Sequence, residues 1–292
     1  MPSQILTTDG KDFASSTAGS STTSYLVPRK LLGEVMGAVR KNLILRGLAA
    51  RIFGPGAIPG RTLVLPLQAE FTAYNHLPVD RVEEFGEVPL GQSEFTSKTL
   101  TPVKYGARIG VSKEMQEDGI IDLLSYHAEL AGYEFADNEE ALIVTALDAA
   151  ATASSNLVAN SNATLPITDI TQAMQQLVSK NYRCTHMIVG AEVANDLRNI
   201  DTFTEADKSG VNNPSKLLIG TIFNMKVLVS NNVSVKLAYI IDASHAFVIA
   251  EKRPLTIERY SDYARDTGFV VIIQRIAVEY LRAGATSEIT TT

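Results

Sequence analysis

The chain has 292 residues, of which 45% are hydrophobic, so it is long enough to bury a large core as one complex fold or as two intertwined lobes. Its net charge of −6 argues against a protein whose main task is to bind nucleic acid. The single cysteine, Cys184, cannot form an intrachain disulfide, and the sequence shows neither a signal-peptide pattern nor an apolar run of about 18 residues. These features favour a protein that is folded and assembled inside a cell, without a membrane partner.

The N-terminal region is predicted to be a polar arm followed by a basic helix. Residues 1–24 are rich in Ser, Thr, Gly and Ala and cannot bury enough apolar surface to fold alone. From Pro28 onward, apolar residues recur at three- and four-residue steps, which predicts a helix that ends before the Gly- and Pro-rich stretch 53–60. This helix carries one acid, Glu34, against several bases. The bases are Arg29, Lys30, Arg40, Lys41, Arg46 and Arg51.

The next segment is predicted to be a long β-hairpin. Residues 61–67 have the pattern of a strand, and apolar alternation returns over 93–112 after a polar excursion. A two-stranded ribbon of this length has no core of its own, so it must lie on another surface. The excursion carries isolated aromatic residues and several acids that are candidates for this contact. They include Phe71, Tyr74, Phe85, Glu83, Glu84 and Glu87.

The middle of the chain, from Val111 to Ala150, holds ten acidic residues and one lysine. Ser112 is a candidate N-cap, and Asp118 can cap a second, longer helix. The long helix has one apolar stripe, formed by Ile120, Leu124, Ala128, Ala131, Phe135 and Leu142. The opposite side is predicted to be an acidic face, formed by Glu129, Glu134, Asp137, Glu139 and Glu140. Such a face can pair with the basic helix at 29–51, or it can be an ordinary solvated surface.

The second half of the chain alternates between helix and strand. A linker-like loop at 151–166 is followed by an amphipathic helix at 167–180, a buried strand at 184–190 and a short helix at 191–200. Further strands are predicted within 218–231 and 238–252, with a close backbone approach at Gly220. The last part is β-rich, with two strands joined by a charged turn at 261–268, and it ends in a Thr-rich tail.

No motif predicts a catalytic, cofactor or metal site. The four histidines lack the spacing of zinc ligands. Asp242, Ser244 and His245 are nearly adjacent, but neighbours in a strand point to opposite faces, so a catalytic triad is not expected and a loop between strands is preferred. Cys184 is interpreted as a small buried hydrophobe rather than a nucleophile. A small α/β enzyme built on 167–250 stays an alternative of a different class.

The order of these segments resembles that of a known family. The stretch ARIGVSKEMQEDGIIDLLSYHAELAGYEFADNEEALI resembles a strand that leads into a long "spine" helix. The stretches THMIVGAEVANDLRNID and LIGTIFNMKVLVSNNV resemble elements of an axial domain. The stretch VIAEKRPLTIERYSDYARDTGFVVIIQRIAVEYLRAGA resembles the family's closing strands, with a charged turn between them. Taken together, residues 25–285 resemble the major capsid protein of tailed phages, which has the Hong Kong 97-type fold.

The resemblance implies an α+β chain with an N-terminal arm, an extended hairpin loop, a peripheral domain that holds the spine helix, and an axial α/β domain. The implied boundaries are 1–62 for the arm and basic helix, 63–107 for the hairpin loop, 108–165 with 251–285 for the peripheral domain, 166–250 for the axial domain, and 286–292 for a C-terminal tail. Met225 and Lys226 stand where the family often carries Gly-x-Pro.

The resemblance also implies a role. Copies of the chain would form hexamers and pentamers in an icosahedral shell that encloses DNA without sequence-specific binding, in a virion assembled in the host cytoplasm. The hairpin would lie across a neighbouring subunit, and part of the acidic spine face would repel packaged DNA. The arm is too short and polar for a fused scaffold, so a separate scaffolding protein or none is expected. The other expected partners are portal and decoration proteins. An encapsulin shell that stores a protein cargo is the alternative within the same fold.

Overall fold

The computed structural model describes residues 45–68, 81–88, 95–117, 123–160, 164–199, 218–262 and 266–291. The chain divides into two compact units. The first contains Tyr105–Asp137 and Leu255–Ile273, and the second contains Ile44–Lys104, Asn138–Pro254 and Gln274–Thr292. The implied boundaries between arm, hairpin, peripheral and axial domains stay a prediction.

The first unit has a small core between strands and a helix. Its elements are parts of β4 (Val103–Ser112), β10 (Phe247–Asp262) and β11 (Thr267–Tyr280), together with α1 (Lys113–Glu117) and the start of the 32-residue α2 (Leu123–Ser154). Ala131 and Phe135 of α2, both in the predicted apolar stripe, are buried with Ile272. The Arg108 guanidinium lies 3.9 Å from the centre of the Phe269 ring. The strands therefore pack their alternating apolar side chains against the predicted face of the helix.

The second unit is built on a six-stranded sheet with the order β5–β12–β9–β6–β8–β7. The strands are β5 (Leu157–Ala159), β6 (His186–Val189), β7 (Leu218–Ile222), β8 (Met225–Val229), β9 (Leu237–Ile241) and β12 (Thr286–Thr290). Two helices, α3 (Ile167–Val178) and α4 (Ala191–Asn199), contribute buried residues to its core. At Gly190 a Cβ atom would lie 2.1 Å from the Ser234 carbonyl oxygen. Only glycine therefore fits between β6 and α4.

A second part of this unit holds the base of the hairpin. The hairpin strands β2 (Leu63–Gln68) and β3 (Phe95–Leu100) pair antiparallel over their full length. Leu63, Leu65 and Leu100 join a cluster that also contains Val248 and Ala250 of β10. The returning strand predicted at 93–112 is thus present as β3 and β4, and its first half pairs with the outgoing strand as expected.

The predicted basic helix needs a correction at its C-terminal end. Residues 1–44, and with them Arg29, Lys30, Arg40 and Lys41, lie outside the described residues. Leu45–Leu48 form a single 3₁₀ turn rather than helix, and Arg51 begins strand β1 (Arg51–Phe53). This strand pairs parallel with the start of β10, and Ala50 N donates to the Phe247 carbonyl at 2.9 Å. Pairing with a distant strand thus overrides the local helical periodicity.

Two predicted loops are strands. The linker expected at 151–166 contains the end of α2 and then β5, and the tail expected at 286–292 contains β12. Strand β12 pairs parallel with β5 and antiparallel with β9, and Thr286, Ser287 and Ile289 are fully buried. A Thr-rich segment at the chain end resembles a tail locally, but here it is an interior strand, because its neighbours supply the hydrogen bonds. Among the described residues, no helix is long and apolar enough to cross a lipid bilayer.

Candidate inter-subunit interface

Of the residues considered for catalysis, Asp242, Ser244 and His245 lie together in one turn, and Cys184 is half-buried. The segment after β9 is a turn, as preferred, and it brings His245 Nδ1 to 3.0 Å from Asp242 Oδ2. Asp242 Oδ1 accepts a hydrogen bond from Ser244 N, which is the geometry of an Asx turn. Burial raises the pKa of the Cys184 thiol, which disfavours the reactive thiolate. The described residues contain no group of three or more His, Cys, Asp or Glu side chains that could hold a metal ion.

The hairpin is fastened to the second unit at its base. The Lys98 ammonium of β3 lies 3.2 Å from the centre of the Tyr280 ring and 3.7 Å from Glu279 Oε1. The Arg282 guanidinium donates to the carbonyl of Gln68, the last residue of β2. These contacts hold the base of the hairpin against the end of β11. Contacts within one chain therefore fix the direction of the two hairpin strands where they begin.

Residues 81–88, here called the tip segment, behave differently from the base. Every residue of the tip segment is exposed, including Glu83, Glu84 and Glu87. Phe85 is fully exposed and has a positive φ of 66°, in a turn closed by a 2.8 Å hydrogen bond from Gly86 N to the Glu83 carbonyl. Val82 and Val88 are also exposed. An acidic segment with three exposed apolar side chains is typical of a surface that another molecule covers. Phe71 and Tyr74, also predicted here, lie outside the described residues.

The predicted acidic face of the spine helix is not a single exposed surface. Glu134 is exposed and Asp137 is half-buried, whereas Glu139 and Glu140 are buried. The side chain of Glu129 lies outside the described part of the chain. Glu139 and Glu140 therefore do not belong to a solvated face. Of the two alternatives for this face, the contact of Glu139 with Arg46 agrees with pairing to a base of 29–51. A helix of 32 residues meets different neighbours along its length, so one periodicity cannot assign the same side to solvent throughout.

Glu139 is instead the centre of a charged cluster. Its two carboxylate oxygens accept hydrogen bonds of 2.8 and 2.7 Å from Arg46 Nη1, while Arg46 Nη2 donates to Glu251 Oε2 at 2.8 Å. Burial raises the pKa of Glu139, and the positive charge of Arg46 opposes that rise. Arg46 was grouped with the basic N-terminal helix, and the structure places it against the spine helix of its own chain. Glu251 was not identified from the sequence, because it lies 205 positions from Arg46 and no local pattern connects them.

Glu140 connects two other segments of the chain through three hydrogen bonds. Its carboxylate accepts hydrogen bonds from Leu45 N at 3.4 Å, Ser230 Oγ at 3.4 Å and Asn232 Nδ2 at 3.2 Å. The two buried acids of the spine helix therefore fix the chain just after the N-terminal arm and the loop after β8. Buried carboxylates with several donors are structural anchors of this kind.

The comparisons with known proteins agree with this architecture. A family model described as phage capsid protein matches residues 94–286. The capsid of cyanophage P-SCSP1u has a TM-score of 0.68 and 12% identity, over 94% of this chain and 95% of that chain. A Microbacterium phage Oxtober96 structure has a TM-score of 0.66 and 14% identity, over 86% and 92%. A Mycobacterium phage Che8 structure has a TM-score of 0.65 and 16% identity, over 85% and 91%. No curated protein matches the sequence.

The fold is therefore the Hong Kong 97-type capsid fold found in tailed phages. Because the family model spans more than half of the chain, the chain belongs to the phage capsid protein family. It is a major capsid protein, a structural component of the virion.

Proposed function

We propose that copies of this chain form hexamers and pentamers that close into an icosahedral shell around double-stranded DNA. The observation that carries the proposal is the exposed tip segment at the end of an anchored hairpin. Its apolar side chains contact water in the single chain, although its base is held firmly by Lys98 and Arg282. A neighbouring copy that covers this segment would remove that apolar surface from water.

The apolar side chains of the tip segment can contribute free energy to assembly. Burying Phe85 alone would contribute about 1.5–3 kcal/mol, and Val82 and Val88 add to this before the cost of ordering the segment is subtracted. Each copy in a closed shell would make such a contact once and receive it once. Small contributions that recur at every subunit therefore stabilise the whole shell.

The charge of the chain supports enclosure of DNA without specific binding. The net charge is −6, and Glu134 on the spine helix is exposed. A lining with such acids would not neutralise phosphates, so the DNA would stay free to enter and leave the shell. We propose that Glu134 and Asp137 face the interior. The proposal also includes separate scaffolding and portal proteins, decoration proteins, and assembly in the host cytoplasm. These parts are supported by the family and the fold.

Electron microscopy of particles purified from cells that produce the chain is the direct test. We expect closed shells that are empty when the chain is expressed alone and filled with DNA when they come from virus-producing cells. Shells that contain a protein cargo would instead indicate an encapsulin-type compartment. A chain that is absent from the particles of virus-producing cells, and that forms no particles when expressed alone, would contradict the proposal.

A further inference from the structure

A cleft in the second unit concentrates positive charge. Its volume is about 650 Å³, and of the described residues that line it five are cationic and none is acidic. The lining residues are Arg61, Thr101, Pro102, Val103, Lys104, Lys252, Arg253 and Arg275. They come from the segment before β2, the segment that joins β3 to β4, the start of β4, and the strands β10 and β11. Because like charges repel, such a cluster is most stable with an anionic group beside it.

Two of the five cations hold the walls of the cleft. The Lys252 ammonium donates to the carbonyls of Ile58 and Gly60, the latter at 3.1 Å, and Arg275 Nη2 donates to the Pro102 carbonyl at 3.4 Å. The other three, Arg61, Lys104 and Arg253, are exposed.

No ion pair or hydrogen bond joins the side chains of Arg61, Lys104 or Arg253 to another described residue. Val103 lies among them and is exposed, so the cleft also offers an apolar surface. The site therefore presents three available positive charges around an apolar patch.

The tip segment has the complementary chemistry. It presents three glutamates, Glu83, Glu84 and Glu87, around the exposed ring of Phe85, and none of its residues lines the cleft of its own chain. The tip segment also carries one exposed base, Arg81, so its three acids leave it with a net negative charge. This charge is opposite in sign to that of the cleft, and both surfaces hold an exposed apolar side chain. Nucleic acid shares the negative charge, but it does not offer an apolar side chain for Val103.

We propose that the cleft binds the tip segment of a second copy of this chain, with the glutamates against Arg61, Lys104 and Arg253 and Phe85 against Val103. The inference rests on the proposed self-assembly and names the two surfaces that meet. Exposed ion pairs contribute little free energy individually, so their main effect is to select the register and to speed the encounter between copies. The apolar contact contributes most of the affinity.

A charge exchange tests the pairing. The cleft variant is Lys104→Glu/Arg253→Glu, and the tip variant is Glu83→Lys/Glu84→Lys. We expect each variant alone to lower the assembled fraction at least tenfold in sedimentation at fixed concentration, and the combined variant to recover most of it. The control, Arg198→Glu/Lys226→Glu, changes two exposed bases outside the cleft and should assemble normally. Thermal unfolding of the unassembled chains shows whether each variant is folded.

Other outcomes overturn the pairing. A cleft variant that assembles normally but retains less DNA would make the cleft a nucleic acid site. Two defective variants that do not rescue each other would mean that each surface meets a different partner. A second experiment separates this inference from shell formation: Glu84→Cys chains are mixed with Arg253→Cys chains, both with Cys184→Ser. A mixed disulfide without shells would support the pairing and contradict the proposed function. Shells without the mixed disulfide would support the proposed function and contradict the pairing.

Discussion

The six-stranded sheet and the tip segment of the hairpin differ in the burial of their apolar residues. In the sheet, Ile240, Met187 and Val227 are fully buried by other residues of the same chain. In the tip segment, Phe85 and Val88 face solvent, and no core is present. The sheet can therefore fold from interactions within one chain, whereas the tip segment acquires buried contacts only from a second molecule. Changes in the sheet should affect stability, and changes in the tip should affect assembly.

The largest effect on stability should come from the sheet core. Ile240 of β9 is completely buried between β12 and β6, so Ile240→Ala removes apolar contacts and leaves a cavity. We expect the free energy of unfolding to fall by about 2–5 kcal/mol, measured by urea titration of the unassembled chain. Leu157→Ala, at an exposed site of β5 in the same sheet, is the control and should cost much less. Equal losses for both would show that the sheet is not a tightly packed core.

A smaller loss is expected at the charged cluster. Arg46→Met removes the donors that hold Glu139 and Glu251, and we expect a loss of about 2 kcal/mol. Without Arg46, burial raises the pKa of Glu139 further, so the deficit should grow as the pH rises through and above the usual carboxyl range. Denaturant titrations at pH 5 and pH 8 measure this difference.

Two variants control the Arg46 experiment. Adding Glu139→Gln should restore part of the stability and flatten the pH dependence, because no buried charge is then left unpaired. Arg198→Met removes an exposed arginine of α4 and should have little effect. A deficit that does not depend on pH would contradict the role given to Glu139.

A gain in stability is expected at Glu288 of β12. Burial raises the pKa of Glu288, and its hydrogen bond with Asp148 adds to the rise. A raised carboxyl pKa means that the folded state loses stability as the pH rises from the ordinary value through the raised value. Glu288→Gln should therefore stabilise the chain by about 1 kcal/mol at pH 8 and by nothing at pH 4, in thermal unfolding. Glu192→Gln, an exposed acid on α4, should show no such difference between the two pH values.

The smallest effect on stability should accompany a large effect on assembly. Phe85→Ala removes a ring that makes no buried contact in the single chain, so the free energy of unfolding should change by less than about 0.5 kcal/mol. Shell formation, counted by electron microscopy, should be lost or need a much higher concentration. Phe223→Ala changes another exposed aromatic residue with positive φ, in the turn between β7 and β8, and should leave assembly intact. Normal shells from Phe85→Ala would contradict the role of the tip segment in assembly.

Local patterns predicted the elements whose residues follow one periodicity. The amphipathic α3, the buried β6, the two hairpin strands and the stripe of Ala131 and Phe135 are found where the sequence places them. The same patterns failed where a distant partner decides the conformation. β1, β5 and β12 were assigned to helix, linker and tail, because their hydrogen-bond partners lie far away in the sequence.

Some residues of the candidate interface were predicted from local sequence patterns, and others were found only in the structure. Phe85 and the acids beside it were predicted from a polar segment with an isolated aromatic residue, and the structure leaves them exposed. Pairing of the acidic face with the bases of 29–51 was one of the two alternatives from the sequence, and Arg46 and Glu139 form such a pair. The third member, Glu251, and the cleft around Arg253 had no sequence signal, since their partners lie in distant segments.

The sequence by itself determined the order of the elements, and with it the resemblance to phage capsid proteins, because side-chain periodicity and turn residues act over a few positions. Only the tertiary structure decided which acids of the long helix are buried, which strand lies inside the sheet and where five cations meet. Those outcomes depend on burial and charge pairing between residues up to about 200 positions apart, and no local pattern in the chain records such distances.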